Sequence, residues 1–122
     1  MGRLKETLLS TLGADAKEIE GQFPSSVPAI LVPRKRFAEA AKVLKKEYAL
    51  LAAEWATDET LFGRGFGIYA CLRKESEYLI VKTLAPVEDP AFPSLTKKFT
   101  PAYRFERQIR SLMGLTAEGN PD

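Results

Sequence analysis

The chain has 122 residues, 45% of them hydrophobic and 28% charged, a composition typical of one globular domain with a modest core. Its 18 basic and 16 acidic side chains leave a net charge of +2, which is too balanced to indicate a nucleic-acid partner. Histidine is absent and Cys71 is the single cysteine, which excludes an internal disulfide, a zinc site of several thiolates and a histidine general base. We therefore expect no metal, no cofactor and no catalytic residue.

No apolar run in the sequence is long enough to cross a bilayer, and the N-terminus lacks the apolar core of a signal peptide. These features predict a soluble protein of a reducing compartment. Any association with a membrane would then come through a partner.

The first predicted element is a short amphipathic helix that Gly13 ends. Its apolar face repeats at helical spacing and consists of Leu4, Leu8, Leu9 and Leu12. A short extended piece around Ile19 follows it. Residues 27–32 are predicted to form a buried or edge strand, with Pro28 near its start.

A second helix is predicted to begin at Pro33, whose missing N–H would have no partner in a first helical turn. Its apolar face is formed by Phe37, Ala40, Ala41, Leu44 and Tyr48. The other face is basic, and Arg34-Lys35-Arg36 stands at its start. We expect a solvated face. The alternative function is a small α+β nucleic-acid-binding module that uses the basic helix of residues 34–46 and binds RNA with strong salt dependence.

Beyond the second helix the apolar pattern changes toward the period of two that indicates strands. Residues 50–56 are predicted to form one strand, and residues 78–84 another. Between them, a strand presents one apolar face made of Phe66, Ile68, Ala70 and Leu72. A polar turn at residues 73–77 joins this strand to the last one in a hairpin. We expect Cys71 to be a small packed side chain, because no histidine is present to activate it.

Two other patterns have the composition of chemical sites. The run Gly63-Arg64-Gly65-Phe66-Gly67 is rich in glycine, but a phosphate loop follows a strand and opens a helix, whereas this run precedes a strand. A hairpin connection or bulge is therefore favoured. The acidic pairs Asp58-Glu59 and Glu88-Asp89 could serve a small enzyme, but turn and cap roles are the default, and turnover by the isolated chain would be needed to support catalysis.

The C-terminal third is predicted to contain an irregular, proline-rich surface segment and then a short helix. Four prolines, Pro86, Pro90, Pro93 and Pro101, leave backbone donors missing before the helix. Thr100 is predicted to cap the helix, Pro101 fits its first turn and Gly114 ends it. The predicted apolar face consists of Phe105, Ile109, Leu112 and Met113.

This order of elements predicts an α+β fold, a two-layer sandwich in which a mostly antiparallel or mixed sheet of about five strands carries helices on one face. The elements run helix, two strands, helix, three strands and a short C-terminal helix. No repeat or linker divides the chain, so we expect residues 1–122 to form a single domain.

The most informative stretch begins with Pro93-Ser94-Leu95-Thr96 and ends with Gly119-Asn120-Pro121-Asp122. Within it, Glu106 and Arg110 stand one helical turn apart, and Arg107 projects from a neighbouring face. An exposed ion pair contributes almost nothing to stability, whereas two arginines beside a carboxylate also suit a docking element. Spacing alone supports the ion-pair and the docking interpretations equally.

This stretch resembles the signature of the respiratory-chain NADH dehydrogenase (complex I) thirty-kilodalton subunit family. Members read approximately Pro-Ser-Leu/Val-Thr, then a Glu-Arg-Glu helix, then a Gly-x-Pro-Asp tail, and the spacing matches without gaps over residues 93–122. The nearest likeness is to the N-terminal domain of the formate hydrogenlyase large subunit and of related energy-converting NiFe hydrogenases. In that branch residues 55–59 and 68–72 also fall in register.

The resemblance implies a non-catalytic structural and docking subunit or domain, without an iron–sulfur cluster or nickel, in an oxidoreductase complex for electron transport. Its implied partners are the large catalytic subunit and the small iron–sulfur subunit, with no nucleic acid. The implied location is cytoplasmic, peripheral to the inner face of the cell membrane through the complex. The docking motif carried over from the family consists of Pro93, Ser94, Thr96, Glu106, Arg107, Arg110, Gly114, Pro121 and Asp122.

Three positions depart from the family pattern. Gln108 and Ser111 replace acidic residues, and Asn120 stands where many complex I members have histidine. The family continues past Pro-Asp, whereas this sequence stops at Asp122, which fits a domain excised from a longer chain or a divergent short subunit.

Overall fold

The computed structural model of the chain describes residues 3–19 and 27–120, in which three helices and seven strands form. In chain order these are α1 (Arg3–Leu12), β1 (Lys17–Ile19), β2 (Ala29–Leu31), α2 (Phe37–Lys46), β3 (Leu50–Asp58), β4 (Phe66–Lys74), β5 (Glu77–Ala85), β6 (Ala91–Pro93), α3 (Ala102–Met113) and β7 (Thr116–Glu118). Single 3-10 turns precede β1, α2 and β4. The predicted order of helices and main strands is confirmed.

Five strands form one sheet in the order β1-β2-β5-β4-β3, so β1 and β3 lie at its edges. All neighbours are antiparallel except β2 and β5, which pair in parallel. The long hairpin of β4 and β5 stands at the centre, with Ile68 opposite Thr83 and Leu72 opposite Leu79. This mixed sheet, with helices packed on it, confirms the predicted α+β sandwich.

The main core lies between one face of the sheet and the three helices. Leu4, Leu8 and Leu12 of α1 are buried, as the helical spacing predicts. The buried residues of α2 are Phe37, Ala40, Ala41 and Leu44. Tyr48 does not belong to this face: α2 ends at Lys46, and Tyr48 follows with a positive φ of 68° and its side chain 83% exposed.

The C-terminal third differs from prediction in three ways. Residues 91–93 form β6, which pairs in parallel with β7 in a second, two-stranded sheet. Thr100 makes no side-chain cap, because Pro101 occupies the N-cap position of α3. Leu112 is 73% exposed, and the buried stripe is Ala102, Glu106 and Ile109.

Gly114 ends α3 with a φ of +73°, as predicted. Pro93 has no N–H, yet it fits the ladder at the last position of β6. In the described residues, none of the helices combines the length and the apolar character that crossing a bilayer requires.

Candidate docking site

Glu106 is the centre of the predicted motif, and its carboxylate is almost fully buried. Its Oε1 accepts hydrogen bonds from Ser94 Oγ at 2.6 Å and from Asn120 Nδ2 at 2.9 Å. Its Oε2 accepts from the backbone N–H of Leu95 at 2.8 Å. Thr96 Oγ1 lies 3.2 Å from Oε1 and completes the set of donors. One carboxylate thus ties α3 to the Pro-Ser-Leu-Thr segment and to the tail after β7.

This geometry corrects the prediction that Glu106 belongs to an exposed docking surface or to an exposed ion pair with Arg110. A buried carboxylate is stable only when hydrogen bonds replace its hydration, and the four donors supply them. Ser94 and Thr96 are half-buried members of the same network. Glu106, Ser94 and Thr96 therefore brace the domain from within.

The arginines of the motif lie beside Glu106 on α3, with their side chains turned to solvent. Arg107 and Arg110 are exposed, and the guanidinium of Arg107 stands 5.9 Å from the ring centre of Tyr103. A small crevice of about 20 Å³ between them and Asn120 leads towards Glu106. Pro93 and Gly114 shape the backbone at the ends of β6 and α3. Pro121 and Asp122 lie outside the described residues.

The three positions that depart from the family pattern lie on α3 and in the segment after β7. Gln108 and Ser111 are exposed on α3. Asn120 donates to Glu106 and lies 3.4 Å from Thr96 Oγ1, so it belongs to the internal brace.

Glu54 of β3 is a second buried carboxyl group, and it faces Glu106. Among the described residues neither of its oxygens receives a hydrogen bond. Burial, and then the hydrogen bond and repulsion from Glu106, raise the pKa of Glu54 to about 11. Two carboxylates cannot share this contact unless one carries a proton, and the raised pKa of Glu54 assigns the proton to that residue.

A third buried carboxylate, Glu59, lies on the face of the sheet opposite the helices. Lys82 Nζ lies 3.0 Å from its Oε2, and Arg64 Nε lies 2.9 Å from its Oε1. Thr57 and Tyr69 donate to Oε2 through their hydroxyl groups. Burial alone would raise the pKa of Glu59, but these donors outweigh it and lower the pKa to about 2.

The glycine-rich run joins β3 to β4, which confirms a hairpin connection. Gly67 lies beneath the Glu59 carboxylate, because a Cβ there would come within 2.5 Å of Glu59 Oε2 and 2.9 Å of Thr57 Oγ1. Arg64, from the same run, pairs with Glu59. The run therefore serves this buried polar cluster.

Sequence reasoning missed Glu54, Glu59 and Lys82 as buried groups. The available signal was a charge inside an apolar strand, since Lys82 interrupts the run from Leu79 to Leu84 and Glu54 interrupts the one from Leu51 to Ala56. Asp58 has the predicted turn role, because its Oδ1 accepts from the N–H and hydroxyl of Thr60.

The basic run at the start of α2 is largely engaged inside the domain. Arg34 pairs with Asp89 at 3.0 Å and donates to the carbonyls of Asp89 and Ala91. Arg36 pairs with Asp15 at 2.8 Å and with Glu39 at 2.7 Å. These contacts reduce the charge available to a nucleic acid, and they favour the structural interpretation of the run.

Cys71 is half-buried beside Tyr69 and Ile80, on the face opposite the helices, and burial raises the pKa of its thiol. A raised pKa leaves little thiolate at neutral pH, so the group is a poor nucleophile. In the portion of the chain that the structure describes, no three acidic or thiol side chains converge as metal ligands would.

Comparison with known proteins gives a family and a fold. The family described as the 30 kDa subunit of the respiratory-chain NADH dehydrogenase matches residues 30–122. No curated protein sequence matches the chain significantly. The solved trypsin-resistant fragment (1-134) of Nqo5 superposes with a TM-score of 0.82 and 23% identity, over 98% of each chain.

A second similar structure comes from the membrane-bound sulfane sulfur reductase, an archaeal respiratory membrane complex. It superposes with a TM-score of 0.78 and 19% identity, over 96% of this chain and 69% of that chain. At these identities the two likenesses show a shared fold.

Proposed function

This chain belongs to the family of the 30 kDa subunit of the respiratory-chain NADH dehydrogenase, and we propose that it is a non-catalytic docking subunit or domain. The parent assembly would be a complex I-like NADH:quinone oxidoreductase or a formate hydrogenlyase-type NiFe hydrogenase. The family match over residues 30–122 supports a structural subunit of a complex I-like complex. One similar structure is part of an archaeal respiratory membrane complex, which agrees with that class of assembly.

The observation that carries the docking role is the charge of α3. Its sequence contains three arginines, Arg104, Arg107 and Arg110, and one acidic residue, Glu106. Because Glu106 is buried, the exposed side of α3 carries only positive charge. Arginine-rich surfaces suit protein interfaces, since the planar guanidinium forms two parallel bonds to a carboxylate.

The large catalytic subunit is the proposed partner on this surface, and the small iron–sulfur subunit is the proposed second neighbour. This arrangement would hold the domain at the cytoplasmic side of the complex, peripheral to the membrane. The internal network of Glu106 gives the docking helix a fixed position, which reduces the entropy lost on binding.

Replacement of Arg107 and Arg110 by alanine tests the proposal. Both side chains are exposed, so the melting temperature of the isolated chain should change little. Capture of the large subunit should weaken, because loss of one side of a desolvated charge pair typically costs about 2–5 kcal/mol of binding. Lys42→Ala, at an exposed position of α2, is the matched control and should leave capture intact.

The contrary result is a large fall in melting temperature for the double variant, with capture unchanged once the protein is folded. That outcome would make both arginines internal braces. Salt-dependent RNA binding that Lys42→Ala weakens would instead favour the nucleic-acid alternative.

A further inference from the structure

A groove runs between β3 and α3, with a volume of about 210 Å³. Its walls are mainly apolar and include Ala56, Phe105, Ile109, Leu112 and Met113. Leu112, on the rim of the groove, is 73% exposed. The groove therefore offers apolar area that an isolated domain leaves uncovered.

The groove lies at the edge of the main sheet. Among the described strands β3 pairs with β4 alone, and it is nine residues long. Leu50, at its first position, is 59% exposed. A long edge strand beside an apolar groove is a common place for a partner segment to bind.

Glu54 lines this groove, and its buried carboxyl group distinguishes the groove from a purely apolar contact surface. The side chain is 4% exposed, and no donor among the described residues reaches its oxygens. The charged group that it faces from α3 is Glu106, whose carboxylate has its own four donors. Its neighbour across the ladder in β4 is Ala70, and the nearby polar residue of α3 is Gln108, both uncharged. The groove thus contains one buried acidic group, Glu54, with Glu106 beside it, and the structure places no cation of the described residues against Glu54.

We infer that the groove receives an apolar segment of the large subunit that carries a lysine or arginine, and that this cation pairs with Glu54. The inference rests on the proposed docking function and adds the chemistry of the partner. The apolar walls would bury the segment, and the two carboxyl groups would attract its cation. Gln108 and Met113, long side chains of the groove wall, would move aside as the cation enters.

Pairing changes the proton content of the site. In the free chain the raised pKa keeps Glu54 a neutral acid beside Glu106. When the cation arrives, the O–H bond of Glu54 breaks, its proton leaves to solvent and its carboxylate accepts from the cation. Docking therefore releases one proton and should strengthen as pH rises, by up to about tenfold per pH unit.

The test is capture of the purified large subunit by the wild-type chain and by Glu54→Gln, measured by calorimetry between pH 6 and pH 8. Gln has the shape of protonated Glu54 and an N–H that can point towards Glu106, but it has no ionisable proton. The isolated variant should therefore remain folded. We expect the variant to bind the large subunit about tenfold or more weakly and to lose the dependence on pH. Repeating the titration in two buffers of different ionisation enthalpy should count about one released proton for the wild type and none for the variant.

Leu112→Ala and Leu61→Ala form a second pair of variants. Leu112 lines the groove, whereas Leu61 is 95% exposed on the turn before β4. Leu112→Ala should weaken capture of the large subunit without lowering the melting temperature. Leu61→Ala should change neither the capture nor the melting temperature.

Three outcomes would overturn the inference. Equal capture by wild type and Glu54→Gln, with a loss for Arg107→Ala/Arg110→Ala, would leave the docking function standing and remove the groove from it. A carboxyl ¹³C resonance of Glu54 that stays in its protonated position in the complex would have the same meaning. Failure of the wild-type chain to bind the large subunit at all would overturn the docking function and this inference together.

Discussion

Lys82 and Glu59 form an ion pair on the face of the sheet opposite the helices, with Nζ 3.0 Å from Oε2 and both residues buried. The ring of Tyr69 stacks on Trp55 at 5.2 Å and lies 5.0 Å from the Lys82 ammonium group. The pair is therefore surrounded by hydrogen bonds and aromatic surface, the conditions under which a buried charge is tolerated. A hydrophobic core on one face and a charged cluster on the other share the same two central strands.

The ionised Glu59 should support the fold at neutral pH and lose that contribution in acid. Its pKa is about 2 in the folded chain and about 4.5 when unfolded, so the stabilisation is complete above about pH 4.5 and is lost as pH falls towards 2. The corresponding free energy is about 3 kcal/mol. Urea unfolding of Glu59→Gln should show a lower stability at pH 7 and a flatter dependence on pH between 2 and 4.5. Glu88→Gln, at an exposed position, should keep the wild-type slope.

Glu54 should have the opposite effect. Its pKa is about 11 when folded against 4.5 when unfolded, so above pH 4.5 the unfolded chain gains stability from ionisation that the folded chain does not. The free energy of unfolding should fall by about 1.4 kcal/mol per pH unit over this window. Glu54→Gln should be more stable than the wild type at pH 8 and should lack this slope. A variant less stable than the wild type at pH 8 would contradict the neutral state of Glu54.

Glu106 should prove essential to the C-terminal third of the chain. Glu106→Ala leaves the donors of Ser94, Leu95 and Asn120 without their acceptor and should cost about 3–5 kcal/mol of unfolding free energy. The amide of Leu95 should then exchange its hydrogen much faster, as NMR can measure. Asn120→Ala removes one donor and should cost about 1 kcal/mol. Equal costs for the two variants would argue against a central role for the carboxylate.

Gly67 should resist substitution because of its contact with Glu59, not because of its backbone. Gly67→Ala places a methyl group 2.5 Å from Glu59 Oε2 and should cost about 1–3 kcal/mol. The cost should shrink in a Glu59→Ala background, since the clashing oxygen is absent there. Gly63→Ala is the control: Gly63 has a φ of +73° but meets no atom within 4 Å, so its cost should be the same in both backgrounds.

The order of elements could be predicted because each apolar face has a regular period. The leucines of α1 and the alternating residues of β4 lie where the pattern places them. The parallel pairing of β6 with β7 could not be predicted, because three residues that include Pro93 carry no periodic signal, and because the partner strand lies beyond α3.

Part of the candidate site could likewise be predicted from the sequence and part could not. The family motif brought Ser94, Thr96 and Glu106 to attention, and they do meet in space. The motif did not indicate that Glu106 is buried, because the burial of a charge depends on donors contributed by distant segments. The partner of Glu106 in β3, Glu54, lies 52 positions away, and no local pattern connects the two.

The placement of α3 over β3 has a consequence for the order in which a growing chain can complete its fold. The five strands of the main sheet have all been synthesised by Ala85, whereas the helix that covers β3 does not end until Met113. Until then Glu54 lies on an uncovered strand, hydrated and ionised at neutral pH. The closing of α3 must therefore take up a proton from water, so this last step of folding becomes less favourable in free energy as the medium becomes more alkaline.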